Sequence, residues 1–304
     1  MYKQILVSLD GSTFAEAALP LALSLSQKTG ARIHLVSVVE PIPALAYEEW
    51  EAAARDWSED YLASVAERID SEAGGVVSTA LRSGHVVETL LEEAASKYAD
   101  LMIMATHGRG ALSRAWLGSV ADAVMRQATI PVLFVRPEAD HPPVVTTPKG
   151  LETILVPLDG SELSEHALEY ATELGELFGS AYHLTRVVPY PLDIASPYLP
   201  YTVQMNQNIL ADAKESAALY LEERADRMRR RGLRVTTSVA VDAQAGHGIL
   251  SEAEAVGCDL IAMATHGRSG VGRLVLGSAA DKVLRGTEVP LLLHRPAKVP
   301  AVKA

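Results

Sequence analysis

Ala105 to Ser119 reads Ala-Thr-His-Gly-Arg-Gly-Ala-Leu-Ser-Arg-Ala-Trp-Leu-Gly-Ser, and it returns 159 residues later as Ala264 to Ser278. Each copy follows a continuous apolar run, Leu101-Met102-Ile103-Met104 or Leu260-Ile261-Ala262-Met263, that reads as a buried parallel strand. Each ends on Gly-Ser opening an amphipathic segment. A strand, a polar glycine-bearing loop and a helix start are therefore written twice. A helix start leaves its first backbone N–H groups unpaired and carries partial positive charge, so Gly118-Ser119 and Gly277-Ser278 are expected seats for a phosphate. A small residue there lets an anion come close.

Outward from the first copy, apolar runs at Ile5–Leu9, Ile33–Val39, Val76–Leu81 and Ile130–Val135 alternate with segments of helical spacing at Phe14–Lys28, Trp57–Glu72 and Val86–Lys97. Pro41–Arg55 reads as a solvated connector. After a proline-rich linker the pattern restarts at Ile154–Leu158. Asp159-Gly160-Ser161 then stands 149 residues after Asp10-Gly11-Ser12, while the glycine loops are 159 apart, so ten residues have been gained after the second strand of the second half. The prediction is an α/β chain of two domains, 1–138 and 152–297, joined by a linker at 139–151. Each is a doubly wound, parallel, five-stranded sheet of Rossmann-like type with right-handed crossovers. Ligands of such sheets sit beyond the carboxyl ends of the strands, so adjacency of the first and fourth strands would bring Asp10 to the 105–119 loop.

Composition and charge exclude several classes. With 48% hydrophobic and 21% charged residues each half can bury a core. The net charge of −11 offers no basic footprint for nucleic acid or an anionic membrane. No apolar run approaches the roughly 18 residues of a membrane helix, and the N-terminus enters strand pattern without a leader, so a cytoplasmic protein is expected. Cys258, the single cysteine, reads as a core thiol. The basic run Arg229-Arg230-Arg231 reads as a solvated helix end. His107 and His266 have no nucleophile or second carboxylate placed with them by the sequence, and read as loop packing; Trp116 reads as a packing anchor. No metal-ligand spacing is present, and neither the phosphate loop of Gly-Lys-Ser/Thr type nor a first-turn Gly-x-Gly-x-x-Gly occurs.

The remaining constellation is an acid after the first strand (Asp10, Asp159), a loop with Gly108 or Gly267 and the arginines Arg109, Arg114, Arg268 and Arg273, and Gly-Ser at the next helix start. In this the chain resembles a tandem universal stress protein, over nearly everything but the linker, the insertions and the tail. The family pattern is Gly, two residues, Gly, nine residues, Gly, then Ser or Thr. Gly108 with Gly118-Ser119 and Gly267 with Gly277-Ser278 keep the nine-residue spacing, and Ala105 and Ala264 stand where the family has its first glycine. The resemblance implies an adenine nucleotide alpha hydrolase-like fold, with the two domains related by a pseudo-two-fold axis as an intrachain pseudo-dimer that pairs again as a homodimer. It implies a cytoplasmic stress-response module holding ATP or a related adenine nucleotide with Mg, up to two per chain, and passing its occupancy to a protein partner. By the same resemblance Asp10 and Asp159 face the ribose or adenine side. Val38 and Met104, with Val187 and Met263, border the base, Ala105 and Ala264 belong to the same nucleotide site, and Gly108, Arg109, Gly118 and Ser119, with Gly267, Arg268, Gly277 and Ser278, surround the phosphates. The alternatives are a weak ATP-hydrolysing or nucleotide-transferring enzyme of the same fold, and an interaction protein with vestigial sites.

Overall fold

The computed structural model describes residues 2–41, 48–74, 76–107, 117–137, 150–190, 202–265 and 277–295. The chain forms two compact units, Met1–Lys149 with Leu292–Ala304, and Gly150–Leu291. In the first, β1 (Gln4–Ser8), α1 (Leu19–Thr29), β2 (Arg32–Val39), α2 (Glu48–Ala73), β3 (Val77–Ser83), α3 (Val86–Ser96), β4 (Leu101–Ala105), α4 (Ser119–Gln127) and β5 (Val132–Val135) alternate as the pattern predicts. The strand order is β3-β2-β1-β4-β5, and every adjacent pair is parallel. Ile5 is in register with Ile33 on one side and Leu101 on the other. Going outward from β1 in one direction and from β4 in the other reverses the winding, and that reversal opens a crevice beyond the strand ends.

The core follows from strands covered on both faces. Ile5, Leu6 and Val7 of β1 and Leu101, Met102 and Ile103 of β4 are wholly buried, each large apolar side chain contributing about 1.5–3 kcal/mol. Asp100 fixes the entry of these two strands, its carboxylate accepting from the amides of Lys3 at 2.7 Å and Gln4 at 3.3 Å.

The second unit repeats the plan with β6 (Thr153–Pro157), α5 (Glu162–Phe178), β7 (Ala181–Val188), α6 (Thr202–Arg229), β8 (Arg234–Val241), α7 (Ala245–Val256), β9 (Leu260–Ala264) and α8 (Ser278–Gly286). Its strands run β9-β6-β7-β8, again parallel. Asp259 pins β6 as Asp100 pins β1, accepting from the amide of Thr153 at 2.9 Å. The last strand, β10 (Leu291–His294), begins in this unit, and its residues from Leu292 on belong to the first.

Three local expectations are revised. The segment read as a connector is helical from Glu48, because Glu48, Glu49, Glu51 and Ala52–Ala54 are strong helix formers; residues 42–47 lie outside the described residues. The first helix is not continuous from Phe14: a 3-10 turn at Ala15–Ala18 precedes α1, whose first turn takes Pro20, a residue suited to that position alone. The final strands start after Pro131 and Pro290, which lack the N–H a ladder needs, although their carbonyls accept from Met102 and Ile261 at 3.0 Å each. Among the described residues no helix is long and apolar enough to cross a membrane.

Candidate functional site

At the carboxyl end of β1 the chain turns through Asp10-Gly11-Ser12. One carboxylate oxygen of Asp10 accepts from the Ser12 amide at 2.9 Å and the Ser12 hydroxyl at 2.5 Å. The Ser12 hydroxyl oxygen in turn accepts from the Ala15 amide at 3.2 Å. Gly11 takes φ +81°, a left-handed conformation that a side chain would strain. Asp159-Gly160-Ser161 reproduces the arrangement: Asp159 accepts from Ser161 at 3.0 and 2.6 Å, Gly160 has φ +87°, and Ser161 caps α5 by accepting from the Ser164 amide at 3.2 Å. The common turn-and-cap role of this tripeptide is therefore real. It also holds each carboxylate at the strand end, where the crevice opens. Ser161→Ala is expected to lower the stability of the second unit by about 1 kcal/mol, the usual worth of such a cap; urea unfolding measures it, and an unchanged midpoint would count against the cap.

The second wall comes from the glycine loop. β4 ends at Ala105, and the Gly118 amide donates to the Thr106 carbonyl at 2.9 Å, tying the start of α4 to the end of the strand. A Cβ on Gly118 would lie 3.2 Å from that same carbonyl, so glycine serves this close approach. The Gly277 amide likewise donates to the Thr265 carbonyl at 3.0 Å. The sequence reading gave these glycines to an incoming anion. Their amides point at the strand instead, and the helix-start donors without an intrahelical acceptor begin at Ser119 and Ser278, which are exposed.

Together these elements line a cavity of 450 Å³ in the first unit, bordered by Asp10, Val38, Met104, Ala105, Gly118 and Ser119. The corresponding cavity of the second unit measures 260 Å³ and is bordered by Asp159, Val187, Met263, Ala264, Gly277 and Ser278. Gly108, Arg109, Arg114, Trp116, His266, Gly267, Arg268 and Arg273 lie outside the described residues. Helix α3 closes the first cavity with Val86 and Leu90, and α7 closes the second with Ala245 and Ile249. The walls are thus apolar at the strand ends and α3, with a carboxylate at one end and a helix start at the other. Such a set can grip a flat apolar ring, a hydroxyl donor and an anion at once.

His107 also borders the first cavity. Its Nδ1 shares a 2.9 Å hydrogen bond with the Thr106 hydroxyl, and its buried Nε2 meets no hydrogen-bond partner among the described residues. Burial and then the Arg136 charge hold its pKa below the usual histidine value. The ring is therefore neutral at pH 7.

Four supporting clusters, two kinds in each unit, escaped the sequence reading. His34 on β2 meets Glu93 on α3 at 2.8 Å, and Arg82 binds the same carboxylate at 2.7 and 3.0 Å. In the second unit His183 meets Glu252 at 3.0 Å. Behind the Asp10 turn Glu16 accepts from Tyr61 at 3.1 Å and from Arg68 at 2.5 Å, and behind the Asp159 turn Glu165 accepts from Tyr220 at 3.0 Å and Arg224 at 2.7 Å. Burial first, then Glu165, pushes the Tyr220 hydroxyl up to about 12. The signal that could have found them is recurrence: His34 and His183, like Glu16 and Glu165, keep the 149-residue offset, and Glu93 and Glu252, like Tyr61 and Tyr220, the 159-residue one.

Comparison with known proteins agrees with the repeat. A universal stress protein of Mycolicibacterium smegmatis is 28% identical over 306 residues, covering 96% of this chain and 97% of its own. One of Thermus aquaticus is 34% identical over 143 residues, 45% of this chain and all of its own length. Among solved structures, a universal stress protein from Archaeoglobus fulgidus superposes with TM-score 0.70 at 20% identity, covering 97% of this chain and 98% of that one, which supports the fold. The sequence model of the universal stress protein family matches at residues 1–136 and again at 150–295, so the chain belongs to that family and carries its domain twice.

Proposed function

We propose that this stress protein binds an adenine nucleotide in the cavity of its first unit and that occupancy of the site, rather than turnover, is the signal it passes to a protein partner. The observation that carries this reading is the convergence, at the carboxyl ends of β1, β2 and β4, of a carboxylate, an apolar slot and a helix start around one 450 Å³ space. That volume falls within the range of about 300–1,000 Å³ usual for small-molecule sites. The adenine would lie against Val38 and Met104, the ribose hydroxyls would donate to Asp10, and the phosphates would meet the α4 amides from Ser119 onward. Arg109 and Gly108 belong to the same proposal by their place in the family pattern. Local donors can outweigh the net charge of −11, because distant charges are screened over about 8–10 Å. Magnesium would travel with the phosphates; among the described residues no cluster of three His, Cys, Asp or Glu side chains could hold it alone. The domain spans 1–138 and 152–297, arranged as a pseudo-dimer within the chain, belong to the same proposal.

Titration calorimetry of ligand-stripped protein with ATP, ADP and AMP tests the reading. Asp10→Ala is expected to weaken binding about 10- to 100-fold, the worth of one or two hydrogen bonds to a charged group. No heat with any of the three nucleotides on folded protein would falsify the assignment. Mass spectrometry of small molecules released from freshly purified protein provides an independent check.

A further inference from the structure

The Asp10 turn is held from outside by an acid that does not itself border the cavity. Asp10 bonds to Ser12, and the Ser12 hydroxyl oxygen accepts from the Ala15 amide at 3.2 Å. Ala15 is a lining residue of the first cavity, while Glu16, next in the chain, is not. Glu16 is 7% exposed, and its carboxylate takes Tyr61 at 3.1 Å and Arg68 at 2.5 Å, both from α2. The segment it sits on is a 3-10 turn, whose hydrogen-bond geometry is poorer than that of an α-helix. The grip from α2 therefore fixes what the turn's own bonds fix weakly. The Tyr61 hydroxyl feels both acids: burial first, then Glu16 and then Asp10, raise its pKa, against the pull of Arg68.

Stability does not account for this grip. Arg68 is 47% exposed, and an ion pair with so exposed a partner adds little, while burying Glu16 costs its hydration. The second unit nevertheless builds the same grip from a different position. Glu165 stands 149 residues after Glu16 and accepts from Tyr220, 159 after Tyr61, at 3.0 Å. Its arginine is Arg224, four residues after the tyrosine, where Arg68 is seven after. Val65 fills the position matched to Arg224, and Arg227, matched to Arg68, binds Glu223 instead. The cation has moved and the hold on the acid has stayed. What both acids share is the Asp-Gly-Ser turn, whose serine lies four residues before each of them.

We infer that Glu16 is a positioning residue of the ligand site: gripped by Tyr61 and Arg68, it sets where the Asp10 carboxylate stands, without touching the ligand. The inference rests on the nucleotide reading of the first cavity and names the residue that holds its ribose-binding acid in place.

Calorimetry on the full chain decides it, with whichever of ATP, ADP and AMP the wild type binds most tightly. Glu16→Leu removes the grip and keeps an apolar body in the buried place, so the melting temperature should stay near that of the wild type. Its binding should weaken about 10-fold, the worth of one hydrogen bond to a charged group. Because Glu16 acts only through Asp10, the double variant Asp10→Ala, Glu16→Leu should bind no more weakly than Asp10→Ala alone. Glu16→Gln can turn its amide oxygen to Arg68 and its amide N–H to the Tyr61 hydroxyl oxygen, and should stay within about 3-fold of the wild type. If Glu16→Leu does not fold, Tyr61→Phe, which deletes one bond and keeps the ring, is read the same way, with a loss of about 3-fold that vanishes without Asp10. Should Asp10→Ala bind too weakly to measure, the contrast between Glu16→Leu and Glu16→Gln decides. Unchanged binding in the folded variant, equal losses with and without Asp10, or Glu16→Gln as weak as Glu16→Leu would each overturn the inference and leave nucleotide binding itself standing. Absence of any event with all three nucleotides would overturn both.

Discussion

Glu93→Ala is expected to lower the unfolding free energy of the first unit by about 3 kcal/mol. Removing one member of a buried charged cluster generally costs about 3–5 kcal/mol, and Glu93 is 6% exposed between His34 and Arg82. The lower end of the range applies because Arg82, 42% exposed, can turn to water once its partner is gone. His34 remains 2% exposed and loses the partner of its Nε2. The same change at Glu252 should cost only about 1 kcal/mol, because His183 Nε2 keeps the Ser238 hydroxyl at 2.9 Å. Urea unfolding of the two variants measures the difference. Equal losses would mean that the arginine and the deeper burial count for nothing.

This cluster also sets an acid limit. Burial lowers the pKa of His34, against the opposing pull of Glu93 and with Lys97 and Arg82 adding to the fall. For Glu93 burial pushes upward, but the hydrogen bonds from Arg82 and His34 outweigh it and the net direction is down. Both groups therefore bind protons less readily in the folded chain than in the unfolded one. Their stabilisation is complete above the unfolded histidine value of 6.5, declines below it, and declines further below 4.5 as the pH falls through the carboxylate's folded value. The first unit's melting temperature should drop from pH 7 to pH 5, and His34→Gln should flatten that drop. An unchanged slope would place the acid sensitivity elsewhere.

Gly175→Val should destabilise the second unit by about 3 kcal/mol or more. Gly175 sits inside α5, and a Cβ there would lie 2.7 Å from Tyr182 Cζ and 2.9 Å from Ile154 Cδ1. Tyr182 is among the largest fully buried side chains, and its hydroxyl donates to the Thr172 carbonyl at 3.1 Å. The rigid ring cannot swing aside without giving up that bond. Overpacking costs about 1–3 kcal/mol, and a stranded buried hydroxyl about 1–3 kcal/mol more. Gly179→Val at the end of the same helix provides the contrast: its cost would come from φ +66° alone, since no atom lies within 4 Å of an added Cβ. A Gly175 variant with wild-type stability would show that α5 can shift away from Tyr182.

Repetition made the fold legible in the residues. The apolar runs of β1, β4, β6 and β9 and the loops after them recur at fixed offsets, and period alone distinguishes a strand buried on both faces from an amphipathic helix. The members of the cavity could be named for a related reason: Asp10, Val38 and Met104 each stand at or just beyond the carboxyl end of a strand, and parallel topology gathers such ends on one side. What the chain order could not disclose was anything that depends on distance across it. Gly118 reads as room for an anion until Thr106 is found on its amide, and Gly175 reads as a flaw in a helix until the Tyr182 ring lies against it. His34 and Glu93 are 59 residues apart, and no local periodicity couples a strand residue to a helix residue that far away. Pattern carries the period of each element and the side it buries; the separation between packed elements is set by side-chain volumes meeting in space.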